Sequence, residues 1–326
     1  MNTSRPDATT IRAAIALAVR APSVHNTQPW RWRVGDSTIH LFVDPERRVP
    51  ETDPDGRDQM LSCGAALHHM RVALGALGWQ ATVHRFPNPA NPTHLAAIEV
   101  HRHQPTEQDI ELAAAIPRRR TDRRYYSSWP VPTSSLTRIT ACAAHEGTLL
   151  TRTESFDYLS QASAESARVH AANDDYRSEI ALWTGRNGSL DGVPASNIAS
   201  SHATDLLPAR HFAHATLTQP VGARSDRDGS VILVLSTPSD DPMSRLRAGE
   251  ATSAVMLTAT VLGMATCPIT EPLEVRDTRD FLRLTVLEDS GYPQLLLRVG
   301  WAPLNADPLP ATPRRHIREV LSGLDG

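Results

Sequence analysis

Cysteine is scarce in this chain. Its three residues, Cys63, Cys142 and Cys267, are odd in number and far apart, which argues against a disulfide framework and against a zinc site. No apolar run reaches the roughly 18 residues of a membrane span. The polar start Met1-Asn2-Thr3-Ser4-Arg5-Pro6-Asp7 lacks the hydrophobic segment of a secretory signal, so the expected compartment is the cytoplasm. Excess positive charge is missing too: a net charge of -3 gives no electrostatic reason to expect nucleic acid or an anionic membrane as partner. No Gly-x-Gly-x-x-Gly follows a strand and no Gly-x-Ser-x-Gly elbow is present, so neither a dinucleotide fingerprint nor a hydrolase nucleophile has a motif behind it. The close histidine pairs, His68-His69 and His101-x-His103, lack a carboxylate partner at ligand spacing, and no metal is expected.

What is present suits a large enzyme. The 326 residues exceed the usual size of one domain, and 40% of them are hydrophobic, enough for a core. The N-terminal part reads as a helix capped at Thr9 or Thr10 and running through Arg20, then strands at 30–34 and 39–43 about a Gly35-Asp36 turn. A long helix from Leu61 through Trp79 and strands at 82–86 and 95–100 follow. A strand at 231–235, a helix from Gly249 to Gly263 and a strand at 295–299 repeat the plan. Gly64, Ala66, Leu77 and Gly78 match Gly249, Ala251, Leu262 and Gly263 at a constant offset of 185 residues, which points to an internal duplication. The expected fold class is α+β, with two similar halves, 1–110 and 111–326, packed as a pseudo-dimer.

Two stretches carry the chemistry. In Ala21-Pro22-Ser23-Val24-His25-Asn26-Thr27-Gln28-Pro29-Trp30, Pro22 and Pro29 stiffen the loop at both ends. Ser23, Asn26, Thr27 and Gln28 offer groups that donate and accept, a rim suited to the alternating N–H and C=O edge of a flavin ring; the plainer alternative is a capped turn with Trp30 as core anchor. In Pro117-Arg118-Arg119-Arg120-Thr121-Asp122-Arg123-Arg124-Tyr125, alternation puts Arg119, Thr121 and Arg123 on one face of an extended segment. Two guanidiniums and a hydroxyl make a phosphate clamp, with Arg118, Arg120 and Arg124 pointing elsewhere and Asp122 free to pair with one of them. A solvated basic stretch or a nucleic-acid patch is the competing reading.

The first stretch resembles the ring-contacting loop of the flavin-dependent nitroreductase family, Pro-Ser-x-x-Asn-x-Gln-Pro-Trp, and the second resembles that family's Arg-x-Ser-x-Arg signature. The likeness covers most of the chain and is close to the Acg-type nitroreductase-like proteins of mycobacteria. It implies FMN as cofactor, with ring contacts from Pro22, Ser23, Asn26, Gln28, Pro29 and Trp30, and phosphate contacts from Arg119, Thr121 and Arg123. It further implies that one of Arg314 and Arg315 reaches the phosphate, delivered by the proline-stiffened segment 301–310. In Cys267-Pro268-Ile269-Thr270-Glu271-Pro272, the loop expected near flavin N5, the amides of Ile269, Thr270 and Glu271 are the candidate donors, since the prolines have none. Each half retains one part of this machinery, so a single complete site per chain is expected.

The resemblance implies an FMN-dependent oxidoreductase that takes hydride from NAD(P)H and passes it to a nitro-aromatic or quinone-like acceptor, with no acid–base residue assigned. The segment from about 150 to 228 is the largest departure from a minimal nitroreductase. Phe156 to Trp183 reads as helical, and the glycine-containing stretch after it, with Leu190, Val193 and Pro194, reads as a lid over the ring. A closed lid gives the alternative function, an FMN-sequestering protein with little or no turnover. The chain is expected as a pseudo-dimeric monomer or weak homo-oligomer.

Overall fold

A computed structural model describes residues 5–186, 188–199, 210, 212, 214–220, 222, 224, 226 and 228–324. Asp7, two residues before Thr9 and three before Thr10, caps α1 (Ala8–Ala18) by accepting from the Thr10 amide at 2.7 Å. β1 (Trp30–Val34) and β2 (Thr38–Val43) form the hairpin, closed by Gly35 N–H donating to Thr38 O. α2 (Arg57–Ala76) starts before the apolar pattern shows it, because its first turn buries Arg57, Asp58 and Gln59 in place of aliphatic residues. β3 (Trp79–Arg85), β4 (His94–Arg102) and α3 (Glu107–Ala115) complete this part, the last with a reciprocal Thr106–Asp109 capping box.

The second part opens with α4 (Thr133–His145) and β5 (Leu149–Thr153). The helix expected from Phe156 to Trp183 is two helices, α5 (Phe156–Ala171) and α6 (Asp174–Trp183). The break falls at Asn173, whose side chain caps α6 by accepting from the amides of Asp175 and Tyr176. β6 (Val231–Thr237) leads to α7 (Pro242–Val261), which begins well before Gly249 because Asp241 caps it and Pro242 fits its first turn. The expected loop 267–272 is instead the end of β7 (Ala265–Ile269) and the start of the one-turn α8 (Glu271–Glu274). α9 (Arg276–Thr285), β8 (Tyr292–Gly300), α10 (Ile317–Val320) and β9 (Leu321–Gly323) follow. No helix among the described residues is long and apolar enough to cross a membrane.

The strands form two sheets with one plan. One runs β3-β4-β2-β1 and the other β7-β8-β6-β5, antiparallel throughout. β9 then joins β1 in parallel, so the end of the chain crosses to the first sheet. Between the sheets α2 packs on α7, each 20 residues long and separated by the 185-residue offset that relates Gly64 to Gly249. The contact is reciprocal. A Cβ on Gly64 would overlap Leu246 O, and one on Gly249 would overlap Leu61 O, so each helix approaches the other's backbone at the same relative position. His68 and His69, on α2, both reach Ser253 Oγ of α7, at 2.7 and 2.8 Å. Beside them Glu250 is fully buried and receives Arg85 (2.7 and 2.9 Å) and Arg71 (3.0 Å), while Arg71 also holds Glu146 at 2.6 Å.

Candidate active site

The stretch between α1 and β1 is a tightly folded loop. Ser23 Oγ accepts from the Gln28 amide and Ser62 Oγ accepts from the Val24 amide, both at 3.0 Å. His25, Asn26 and Gln28 take left-handed backbone angles, with φ of 44°, 56° and 53°. Such angles are costly for residues with side chains and persist where the surroundings impose them, commonly at ligand sites.

Two connected cavities meet at this loop. The smaller, about 80 Å³, is lined by Arg20, Arg119, Arg120, Arg123 and Arg314 with Asn26, and by no carboxylate among the described residues. The larger, about 190 Å³, is walled by Leu61 and Ala65 of α2, Ile269 of β7, Leu295 of β8 and Phe212 of the insertion. Pro22, Ser23, His25, Thr121 and Arg123 line both, so one elongated ligand with an anionic end and a flat apolar end fits the pair.

Burial sets the electrostatics. Arg119 is pushed down to about 10 by burial and by Arg120 and Arg20, and Arg314 to about 9 by burial and by Arg119. Arg119 Nε and Nη1 and Arg314 Nε are buried with no hydrogen-bond partner among the described residues. Clustered guanidiniums with unused donors call for an anion, and a phosphate with bidentate acceptor oxygens supplies what they lack. The chain contains no lysine; all 33 basic side chains are arginine. Arginine keeps its charge in such a place, whereas a buried lysine sheds its proton readily.

The predicted residues divide cleanly. Pro22 and Ser23 line both cavities and Asn26 the smaller, while Gln28, Pro29 and Trp30 line neither. The Gln28 side chain instead ties three segments: its Nε2 donates to Leu190 O at 2.8 Å, and its Oε1 accepts from the Arg315 amide at 2.8 Å. Pro29 O accepts from the Asp44 amide, and Trp30 is a fully buried core residue. Arg119, Thr121 and Arg123 converge on the smaller cavity as the alternation predicts. Arg120, expected to point away, lines it as well, so the alternation does not separate it from Arg119 just after the turn at 116–118. Asp122 holds Arg124 through both carboxylate oxygens, at 3.0 and 2.8 Å. Ile269, Thr270 and Glu271 line the larger cavity. Of the C-terminal pair, Arg314 lines the smaller cavity and Arg315 turns to Asp44 at 3.6 Å.

The insertion docks on this site. Asn26 Nδ2 donates to Gly192 O at 3.0 Å, Arg47 pairs with Asp191 at 2.5 Å, and Arg123 Nη1 donates to Asn197 O at 3.1 Å. Val193 lines the smaller cavity, whereas Leu190 and Pro194 line neither. Arg210 and Phe212 line the larger; Arg210 pairs with Glu274 and donates to His25 Nε2 at 3.0 Å. Positions 187, 200–209, 211, 213, 221, 223, 225 and 227 of the insertion lie outside the described residues. Sequence reasoning missed Arg20, His25, Asp58, Ser62, Arg210 and Arg298. Asp58, Leu61, Ser62 and Ala65 share one helical face, a signal lost when α2 is started at Leu61.

Comparison with known proteins gives a consistent picture. The model of the nitroreductase family matches residues 116–301. A Mycobacterium tuberculosis protein provisionally named an NAD(P)H nitroreductase is 52% identical over 98% of this chain and 93% of its own length. Another from that organism, Acg, provisionally named likewise, is 40% identical over 95% of this chain and 94% of its own. Among solved structures, the FMN-dependent nitroreductase NfnB of Mycobacterium smegmatis, in complex with NADPH, is 18% identical, covering 65% of this chain and 97% of its own with a TM-score of 0.39. A provisionally named nitroreductase of Anabaena variabilis is 9% identical, covering 92% of this chain and 90% of its own with a TM-score of 0.48.

Proposed function

The chain belongs to the nitroreductase family, and from that premise we propose that it is an FMN-dependent oxidoreductase passing hydride from NAD(P)H to a nitro-aromatic or quinone-like acceptor. The observation that carries this reading is the set of unpartnered, buried donors of Arg119 and Arg314 at the mouth of an apolar cavity. FMN has the matching shape: a dianionic phosphate for the arginines and a flat ring for the cavity. When bound, it supplies the hydride chemistry.

In this reading the chain's own residues bind, orient and exclude water. Arg119, Arg123, Thr121 and Arg314 take the phosphate, Pro22 and Ser23 lie along the ring, and an amide of Ile269, Thr270 or Glu271 faces its reactive edge. Phe212 and Arg210 close the cavity from the insertion. The two halves, 1–110 and 111–326, are read as products of an internal duplication sharing this one site, in a pseudo-dimeric monomer.

The test compares FMN with riboflavin, which lacks the phosphate. Replacing both Arg119 and Arg314 with Ala should weaken FMN by at least about 3 kcal/mol more than riboflavin, taking two charge-assisted bonds at the low end of their range. Equal losses for both ligands would overturn the phosphate assignment.

The docked insertion favours a second reading, in which the chain holds FMN under a closed lid with little turnover. Asn26, Gln28 and Arg123 each bond the 190–197 backbone directly, so closure restricts access to the ring. Anaerobic mixing with NADPH or NADH separates the two. Fast loss of oxidised-flavin absorbance in the intact protein excludes the reservoir. Slow loss that rises sharply when residues 188–192 are shortened supports it.

A further inference from the structure

One polar group in the larger cavity has no task in the flavin reading, on which the following inference rests. Asp58 stands in the first turn of α2, 2% exposed, in the cavity wall. Neither carboxylate oxygen receives a hydrogen bond from any described residue. Arg57 Nη2 lies 2.6 Å from Oδ1, but the guanidinium is out of line for donation and is engaged with Gln294 O through its other nitrogen. Other buried carboxylates nearby are committed: Glu274 to Arg210 and Thr270, and Asp122 to Arg124.

Its surroundings are mixed in sign. Arg57 on its own helix and Arg210 from the insertion favour the ionised form, while Asp53 before the helix and Glu274 of α8 oppose it. His25, Arg123, Cys267, Glu271 and Arg298 share the cavity. His25 accepts from Arg210 and is held neutral by burial, so it has no imidazolium proton to give. Burial outweighs the arginines and lifts Asp58 to about 7, where small changes of nearby charge switch its state.

We infer that Asp58 is a redox-linked proton site, which takes up a proton when the flavin in this cavity is reduced and gives it to the acceptor when the flavin is reoxidised. In the first half, NAD(P)H loses hydride and leaves as NAD(P)+. The negative charge so placed in a poorly solvated cavity opposes a carboxylate, and Asp58 forms an O–H bond with a solvent proton. In the second half, a quinone-like acceptor gains hydride, two electrons and one proton, from the reduced cofactor. The Asp58 O–H bond breaks, its proton passes to the acceptor oxygen, and a hydroquinone leaves with the carboxylate restored.

The experiment uses FMN-loaded full-length protein and Asp58→Asn, reduced anaerobically by light so that nicotinamide is not needed. Infrared difference spectra at pH 8 should show a carboxylic C=O band appearing on reduction in the wild type and absent from the variant. A pH indicator should record about one more proton taken up per flavin by the wild type. Stopped-flow of the reduced protein should show hydroquinone formation slowed about a hundredfold in Asp58→Asn, the low end for loss of a general acid. Equal proton uptake, or no carboxylic band in the wild type, overturns the inference while leaving the flavin reading intact. Failure of the wild type to bind FMN overturns both. If Asp58→Asn does not load, Asp58→Glu keeps a carboxyl, and its band must shift in position; an unshifted band assigns the proton to another residue and overturns the inference.

Discussion

At the scale of single residues, burial decides protonation, and along α2 it acts in opposite directions on histidines and on a carboxyl. His68 is pushed down to about 4 by burial, with Arg71 adding to the fall and Glu146 opposing it. His69 is also held well below its usual range by burial, then by Arg119 and His68. Both rings are therefore buried neutral against Ser253. Between about pH 6.5 and pH 4 the unfolded chain binds protons that the folded chain refuses, so their contribution is complete above 6.5 and is lost as pH falls toward 4. For His68 alone the loss is about 3 kcal/mol. Thermal unfolding between pH 7 and 4.5 should show this decline, and His68→Gln should flatten it; an unchanged slope would reassign the loss to other groups. Asp58 has the reverse sign. Its raised pKa means that stability falls as pH rises from the unfolded value near 4 toward 7, so Asp58→Asn should gain stability at pH 8 relative to pH 4.

At the scale of elements, the α2–α7 crossing is the joint on which the site depends. α2 brings Asp58, Leu61, Ser62 and Ala65 to the larger cavity and α7 brings Thr252, so any separation of the helices opens it. The closest approach is at Gly64 and Gly249, where an added Cβ meets backbone that has no room to move. Gly64→Ala or Gly249→Ala should cost about 3 kcal/mol, the upper end of overpacking penalties, and weaken FMN together with stability. Gly323→Ala, with nothing within 4 Å of the added atom, should change stability by less than about 0.5 kcal/mol. Denaturant unfolding of the three variants checks the contrast, and equal effects would remove the crossing as the cause.

At the scale of the whole molecule, two similar halves hold one candidate site. The 185-residue offset pairs Ala65 and Thr270, which line the larger cavity, with Glu250 and Arg85. In the second position those two side chains meet each other in an ion pair whose Glu250 carboxylate is fully buried, reinforced by Arg71 and Glu146, where the first leaves open space. The flavin released by denaturing the loaded protein should accordingly be about one per chain; a ratio near two would contradict the single-site reading. Glu250→Ala leaves Arg85 and Arg71 without their shared partner and should cost about 3–5 kcal/mol without adding a second flavin. A rise in stoichiometry on that substitution would mean that the ion pair alone blocks the second site.

The sequence by itself determined what depends on contiguous residues. The stiffened loop at 21–30, the alternation of Arg119, Thr121 and Arg123 and the matched small residues of the two long helices are local patterns, and each survives in the folded chain at its expected place. Tertiary structure alone decided which of the arginines share a cavity, because Arg20, Arg119 and Arg314 come from three distant segments. It also decided that Gln28 ties segments together behind the cavity wall, that Arg210 meets His25 and Glu274, and that β9 joins the first sheet. The state of Asp58 belongs to this second class. Its chemistry follows from desolvation by elements far apart in sequence, and desolvation is a property of packing that no spacing of residues records.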